Sequence, residues 1–93
     1  MTRQPDRDKN EASHRMSKKQ IEEIVRSSIE GYLRDLRGTE PAGLHEMLIQ
    51  TVEKPLLEVV MARAGQNQSR AAEWLGLNRN TLRKKLVEHK LID

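Results

Sequence analysis

The chain has 93 residues, a formal net charge of +3, no cysteine and no phenylalanine. A chain of this length forms one small domain, and the lack of cysteine excludes disulfides and thiolate metal sites. Its three histidines are scattered without metal-ligand spacing, and no apolar run is long enough to span a bilayer. These features predict a cytoplasmic protein that is not an enzyme, needs no metal or cofactor and has no membrane partner.

The charges are distributed unevenly along the chain. Residues 1–19 hold six basic and three acidic side chains, residues 20–65 hold five and eight, and residues 66–93 hold six and three. An acidic middle followed by a basic end predicts a scaffold joined to a module that faces a polyanion. Charge alone leaves DNA, RNA and a membrane surface open as that polyanion.

The N-terminal part is predicted to be a tail followed by a long helix. Residues 1–16 are polar and without periodicity, which predicts a disordered tail. Ser17 and Gln20 form a capping-box pattern, so a helix is predicted to begin there, with apolar residues at steps of three and four until Gly38 ends it. Gly31 inside this helix leaves two interpretations open, either close approach of another backbone or a weak turn.

A second helix is predicted from Pro41, which suits a first helical turn because its missing N–H costs nothing there. Its apolar face continues past Pro55, where either one long helix kinks or two helices meet, since an internal proline removes a hydrogen bond. The helices of residues 17–65 carry more apolar surface than the rest of the chain can cover. This excess predicts burial against a second copy in a homodimer.

A short helical pattern follows, with Asn67 as its N-cap. Ala71, Ala72 and Leu75 give this helix an inner face, and the two alanines are small enough for close helix contact. Gly76 ends the helix, because a residue without Cβ can take the left-handed conformation.

Another short helix is predicted after this turn, with Asn78 as its N-cap and with Leu82 and Leu86 four residues apart on one face. No acidic residue occurs in residues 77–86, and basic side chains surround the apolar stripe. Two helices, a tight glycine turn and a basic second helix predict a helix-turn-helix, whose second helix enters the DNA major groove. The alternative is an ordinary helical hairpin whose lysines and arginines are solvated surface.

The segments QNQSRAA and GLNRNTLRKKL, with VEKPLLE upstream, resemble the Fis family of bacterial nucleoid proteins, known for factor for inversion stimulation. The resemblance covers about residues 21–86. It implies an all-α, four-helix protomer in which residues 17–65 intertwine with a second copy and residues 66–93 bind double-stranded DNA. The NRxTLRKKL motif is shared with the C-terminal DNA-binding domains of nitrogen-regulation-type enhancer-binding activators, which stand as an alternative.

The family resemblance implies a nucleoid-associated transcriptional regulator that bends DNA at degenerate sites with A/T-rich centres. It also implies RNA polymerase or a recombinase as further partners, and the nucleoid as the location. Stimulation of DNA inversion is not implied, because residues 1–16 lack the pattern of the β-hairpin arm that such Fis proteins carry. A further alternative, of another class, is a helical dimeric adaptor without a nucleic-acid role.

The resemblance also assigns eight residues to the DNA. Arg79 matches an arginine at a base edge, and its planar fork suits guanine O6 and N7. Asn78 matches an asparagine near the bases, with the helix cap as an equal interpretation. Three residues of the same helix match phosphate or base-edge contacts: Thr81, Arg83 and Lys84. Three at the start of the preceding helix match phosphate clamps that set the register: Asn67, Ser69 and Arg70. Lys85 is ranked below them as a surface lysine, and Trp74 is predicted to pack between the motif and the helical scaffold.

Overall fold

The computed structural model describes the backbone of residues 3–93 and the side chains of residues 17–93. Four α-helices and no strand are found in this part of the chain, which confirms the predicted all-α class. The helices are α1 (Arg3–Asp35), α2 (Leu44–Arg63), α3 (Gln68–Leu75) and α4 (Arg79–Glu88). The chain divides into two compact units, Met1–Ala42 and Gly43–Asp93. Within residues 3–93, no helix is both long and apolar enough to cross a membrane.

Helix α1 begins at Arg3, earlier than the start predicted at Ser17. It therefore runs through most of the segment for which a disordered tail is predicted, residues 1–16, of which the first two residues and all side chains lie outside the described part. The sequence contains neither proline nor glycine between Pro5 and Gly31, so no helix-breaking residue separates the polar segment from the amphipathic one.

The apolar face of α1 has no cover within its own unit. Ile21, Ile24, Tyr32 and Leu33 are all exposed, and no described side chain of α1 is buried. Apart from its own helix backbone, no described atom lies within 4 Å of the position that a Cβ of Gly31 would occupy, so no close backbone approach accompanies it in the described part of the chain. An amphipathic helix in this state still requires a surface against which to bury its apolar stripe.

Helix α2 continues without a break through Pro55. The proline has no N–H to donate to the carbonyl of Thr51, one turn upstream. The sequence left a kinked helix and two separate helices open, and the structure contains a single helix. Its other hydrogen bonds and the packing of its C-terminal half suffice to keep it continuous past the missing donor.

Left-handed turns bound α2 on both sides. Gly43, the N-cap, has φ +61°, so the chain turns there and Pro41 lies in the preceding loop rather than in the first helical turn as predicted. At the other end Gly65 has φ +66°, and the N–H of Gln66 donates to the carbonyl of Met61 at 2.8 Å. This bond belongs to the Schellman pattern, which satisfies carbonyls that a helix end leaves free.

The core of the second unit is formed by α2, α3 and α4. Its buried side chains are Leu57, Met61, Ala64, Ala71, Ala72, Leu82 and Leu86, and Val60, Leu75, Leu91 and Ile92 pack against them. The predicted inner faces of the two short helices are thereby confirmed. The C-terminal half of α2 shares this core with α3 and α4, so the compact unit starts at Gly43, whereas the sequence places a boundary after residue 65.

Candidate nucleic-acid interface

Helix α3 is fixed at both ends by interactions that its sequence predicts. The Asn67 side-chain oxygen accepts a hydrogen bond from the backbone N–H of Arg70 at 3.1 Å, which confirms the N-cap. Gly76 has φ +71°, and the next N–H, of Leu77, donates to the carbonyl of Ala72 at 2.9 Å. The turn between the two short helices is therefore held by backbone hydrogen bonds, and α4 starts from a defined position.

Helix α4 is fixed by an N-cap and by the packing of its inner face. The Asn78 side-chain oxygen accepts from the backbone N–H of Asn80 at 2.7 Å. This cap uses only the oxygen, so the side-chain amide can still donate to another group, and the two roles predicted for Asn78 are compatible. Leu82 and Leu86 are fully buried on the inner face. Burial of each such leucine stabilises the fold by roughly 1.5–3 kcal/mol and fixes which side of α4 points outward.

All eight residues that are predicted to contact DNA are exposed: Asn67, Ser69, Arg70, Asn78, Arg79, Thr81, Arg83 and Lys84. Four of them are cations, and none of the four takes part in an ion pair within residues 17–93. Their charges are therefore available to an external anion. The outer side of α4 also carries a shallow depression, lined by Asn80, Arg83, Lys84, Val87 and Glu88.

Lys85 differs from these cations because its ammonium group is paired with a carboxylate of α2. Its Nζ lies 2.8 Å from Glu53 Oε2, on α2, and His89 Nε2 lies 2.9 Å from the other carboxylate oxygen. The hydrogen bonds from Lys85 and then His89 lower the pKa of Glu53, and the bond to Glu53 raises the pKa of Lys85. The sequence predicts no role for Glu53 or His89.

The position of Trp74 corrects a prediction. Its side chain is 56% exposed, rather than packed between the motif and the scaffold. The inner face of α3 is centred on Ala71, Ala72 and Leu75, and Trp74 lies to one side of it. Because the helix has only two turns, a side chain outside that narrow face finds nothing in the unit to cover it.

A capped short helix, a left-handed glycine turn and a second helix with buried leucines beneath a cationic outer side define a helix-turn-helix protein. Comparison with known proteins makes this class more specific. Residues 48–89 match the family described as bacterial regulatory protein, Fis family. The matched stretch runs from the second turn of α2 to the C-cap of α4 and so contains the entire motif.

Individual relatives extend the match over most of the chain. A Fis-like DNA-binding protein of Neisseria meningitidis serogroup A is 54% identical over 72 residues, which cover 77% of this chain and 91% of the relative. One of Ralstonia nicotianae is 52% identical over 77 residues, covering 83% and 100%. A DNA-binding protein Fis of Psychromonas ingrahamii is 40% identical over 78 residues, covering 84% and 79%. The chain belongs to the Fis family, as its motifs predict.

Proposed function

We propose that the protein is a nucleoid-associated transcriptional regulator that binds and bends double-stranded DNA as a homodimer. The observation that carries the proposal is a set of four exposed cations that form no ion pair within residues 17–93, on helices whose opposite sides are buried: Arg70, Arg79, Arg83 and Lys84. Cations fixed on a rigid frame suit a regular array of phosphates and base edges. The names of the relatives, which are DNA-binding proteins, support the same ligand.

The dimer is supported by an uncovered stripe on α2. Ile49, Val52, Leu56 and Val59 follow each other at steps of three, four and three, and each is 48–59% exposed. This spacing places them on one side of the helix, as in a helix that packs along a second helix. The apolar face of α1 is exposed in the same way. In the proposal a second copy covers both faces, because a two-fold dimer is the commonest way to bury such surfaces.

Two copies would present two α4 helices to one side of the duplex. In this proposal Arg79 reads a base edge, and Thr81, Arg83 and Lys84 contact phosphates or base edges nearby. Asn67, Ser69 and Arg70, at the start of α3, hold phosphates and set the position along the duplex. Recognition helices that stand closer than one DNA turn require a bend, which favours easily deformed A/T-rich centres. RNA polymerase or a recombinase would act on the bent complex in the nucleoid.

Affinity measurements on two arginine variants test the DNA roles. We expect Arg79→Ala to reduce the preference for a matched over a scrambled duplex, by roughly 5- to 150-fold, because one base-edge pair contributes about 1–3 kcal/mol of discrimination. Arg70→Ala should weaken both duplexes alike and reduce the salt slope by about one. Fluorescence anisotropy at a series of salt concentrations measures both quantities.

The charge-matched control is Lys54→Ala, which removes a cation from the exposed surface of α2. It should leave the preference unchanged. Equal loss of preference in the Arg70 and Arg79 variants would contradict the assigned roles. A wild-type protein that binds neither duplex in dilute buffer would overturn the DNA function and favour the helical adaptor.

A further inference from the structure

One carboxylate connects α2 to α4. Glu53 receives Lys85 Nζ on one oxygen at 2.8 Å and His89 Nε2 on the other at 2.9 Å. An ionised carboxylate only accepts hydrogen bonds, so Nε2 carries the proton in this contact. Lys85 lies in the last turn of α4 and His89 is the C-cap residue, four residues further on; each oxygen of Glu53 accepts from a different one of them.

This connection is largely shielded from solvent. The Glu53 side chain is 15% exposed and that of His89 is 8% exposed. The Lys85 side chain is 30% exposed, whereas the neighbouring Arg83 and Lys84 are exposed. Low exposure strengthens an ion pair relative to a solvated one, and removal of one partner leaves the others shielded without a counter-charge.

The contact constrains the direction of α4 in a way that the core alone does not. Leu82 and Leu86 fix one side of the helix through non-directional packing. Hydrogen bonds from Lys85 and His89 to a single carboxylate add two directional restraints near the C-terminal end. Together they limit both the rotation of α4 about its axis and its tilt on α2.

We propose that Glu53 is a positioning residue for DNA binding, which sets the orientation of α4 and keeps Lys85 out of the set of phosphate contacts. The inference rests on the proposed DNA-binding function. A base-reading side chain such as Arg79 must be placed within about half an ångström, and rigid supporting contacts provide that accuracy. Glu53 acts through Lys85 and His89 rather than by touching DNA itself.

The pairing of Lys85 with Glu53 supports the second part of the proposal, that Lys85 is kept out of the phosphate contacts. Two carboxylates act on Lys85: that of Glu53 on α2 and that of Glu88 on its own helix. Its proton is held more firmly than usual because the Glu53 hydrogen bond raises the pKa of Lys85. A phosphate would have to compete with this carboxylate for the same ammonium group, whereas Lys84 next to it has no such competitor within residues 17–93.

A double-mutant cycle on Glu53 and Lys85 tests the proposal. We expect Glu53→Gln and Lys85→Gln each to reduce the matched-over-scrambled preference on the order of tenfold, and the double variant to lose no more than either one, because the two residues act as a unit. The salt slope should stay at the wild-type value in Lys85→Gln and in the double variant, and should rise by up to about one in Glu53→Gln, where Lys85 is released from its carboxylate and can reach a phosphate. Glu53→Asp keeps the charge but is too short to reach both partners, so it should lose an intermediate amount.

Two matched controls accompany the cycle. Glu58→Gln removes an exposed carboxylate from the same helix and should change nothing. Lys84→Gln removes a predicted phosphate contact and should reduce the salt slope by about one. Circular dichroism under the binding conditions confirms that each variant is folded, so that a loss of preference reflects the orientation of α4 and not its unfolding.

The results that would refute the role of Glu53 differ from the result that would refute the DNA function. Additive losses, with a salt slope reduced by about one in Lys85→Gln, would identify Lys85 as a phosphate ligand and refute the proposal. Unchanged preference in folded Glu53→Gln and Glu53→Asp would refute it as well. A wild type that binds neither duplex would refute the DNA function itself, and a denaturant-unfolding cycle on the same variants would then still report whether Glu53 and Lys85 are coupled.

Discussion

The two units of the chain differ in how completely they bury their own apolar residues. All buried side chains among residues 17–93 lie in the unit Gly43–Asp93, where α3, α4 and the C-terminal half of α2 surround Leu57, Leu82 and Leu86. In contrast, α1 buries none of its described side chains. The unit that carries the cations therefore has a core within a single chain, whereas the apolar face of α1 and the stripe of Ile49, Val52, Leu56 and Val59 on α2 are exposed.

Breaking the core should have the largest effect. Leu82→Ala removes a fully buried side chain and leaves a cavity beneath α4, so the free energy of unfolding should fall by about 2–5 kcal/mol. Urea unfolding followed by circular dichroism measures this change. The control Val87→Ala truncates an exposed residue of the same helix and should cost well under about 1 kcal/mol. Equal costs would contradict the packing described for α4.

A charge placed in the uncovered stripe on α2 should have the second-largest effect. Leu56→Glu places a charge in the middle of the proposed dimer contact, and a shielded unpaired charge should raise the dimer dissociation constant roughly 100-fold, about 2.7 kcal/mol. Sedimentation over a range of concentrations measures it. Gln50→Glu, which adds the same charge to an exposed position outside the stripe, is the control. A Leu56→Glu protein that associates as tightly as this control would remove the argument for the stripe as the interface.

The smallest of the three effects is pH-dependent and concerns Glu53. Hydrogen bonds lower the pKa of this carboxyl in the folded state, so it contributes stability above its unfolded pKa and loses that contribution as the pH falls through the folded value. Glu53→Gln should cost about 1–2 kcal/mol at pH 7, between the values typical of exposed and buried pairs. The difference from wild type should shrink below about pH 4.

At the alkaline end the sign is reversed. The folded-state pKa of Lys85 is raised, so its contribution is complete below the unfolded pKa and is lost as the pH rises through the folded value.

Denaturant unfolding of wild type and Glu53→Gln from pH 3 to pH 9 measures the acid limb. A difference that does not change between pH 7 and pH 3 would show that the carboxylate charge is not what stabilises this contact.

The parts of the fold that local chemistry determines were predictable from the sequence. The N-caps of Asn67 and Asn78 and the left-handed turn of Gly76 depend on a few neighbouring residues, and all three are confirmed. The burial of Leu82 and Leu86 follows from their four-residue spacing. The eight predicted DNA contacts are exposed as required, and their roles stay predictions.

Features that depend on distant residues were not predictable in this way. Glu53 and His89 are 36 residues apart, and their contact exists only because α2 and α4 share a core. The four-residue spacing of Lys85, in the last turn of α4, and His89, its C-cap, was the available signal, but it did not identify the partner. Trp74 was predicted to be covered because it lies beside Leu75, whereas its exposure depends on the width of the inner face of α3.

The most direct test of the proposed dimeric DNA-bending function is energy transfer between dyes at the two ends of a duplex of about 30 base pairs with an A/T-rich centre. We expect the ends to approach each other as protein is added and the change to saturate at two chains per duplex. Leu56→Glu should fail to produce this change at the same concentration. Binding that saturates at one chain per duplex, with the ends at their original separation, would contradict it.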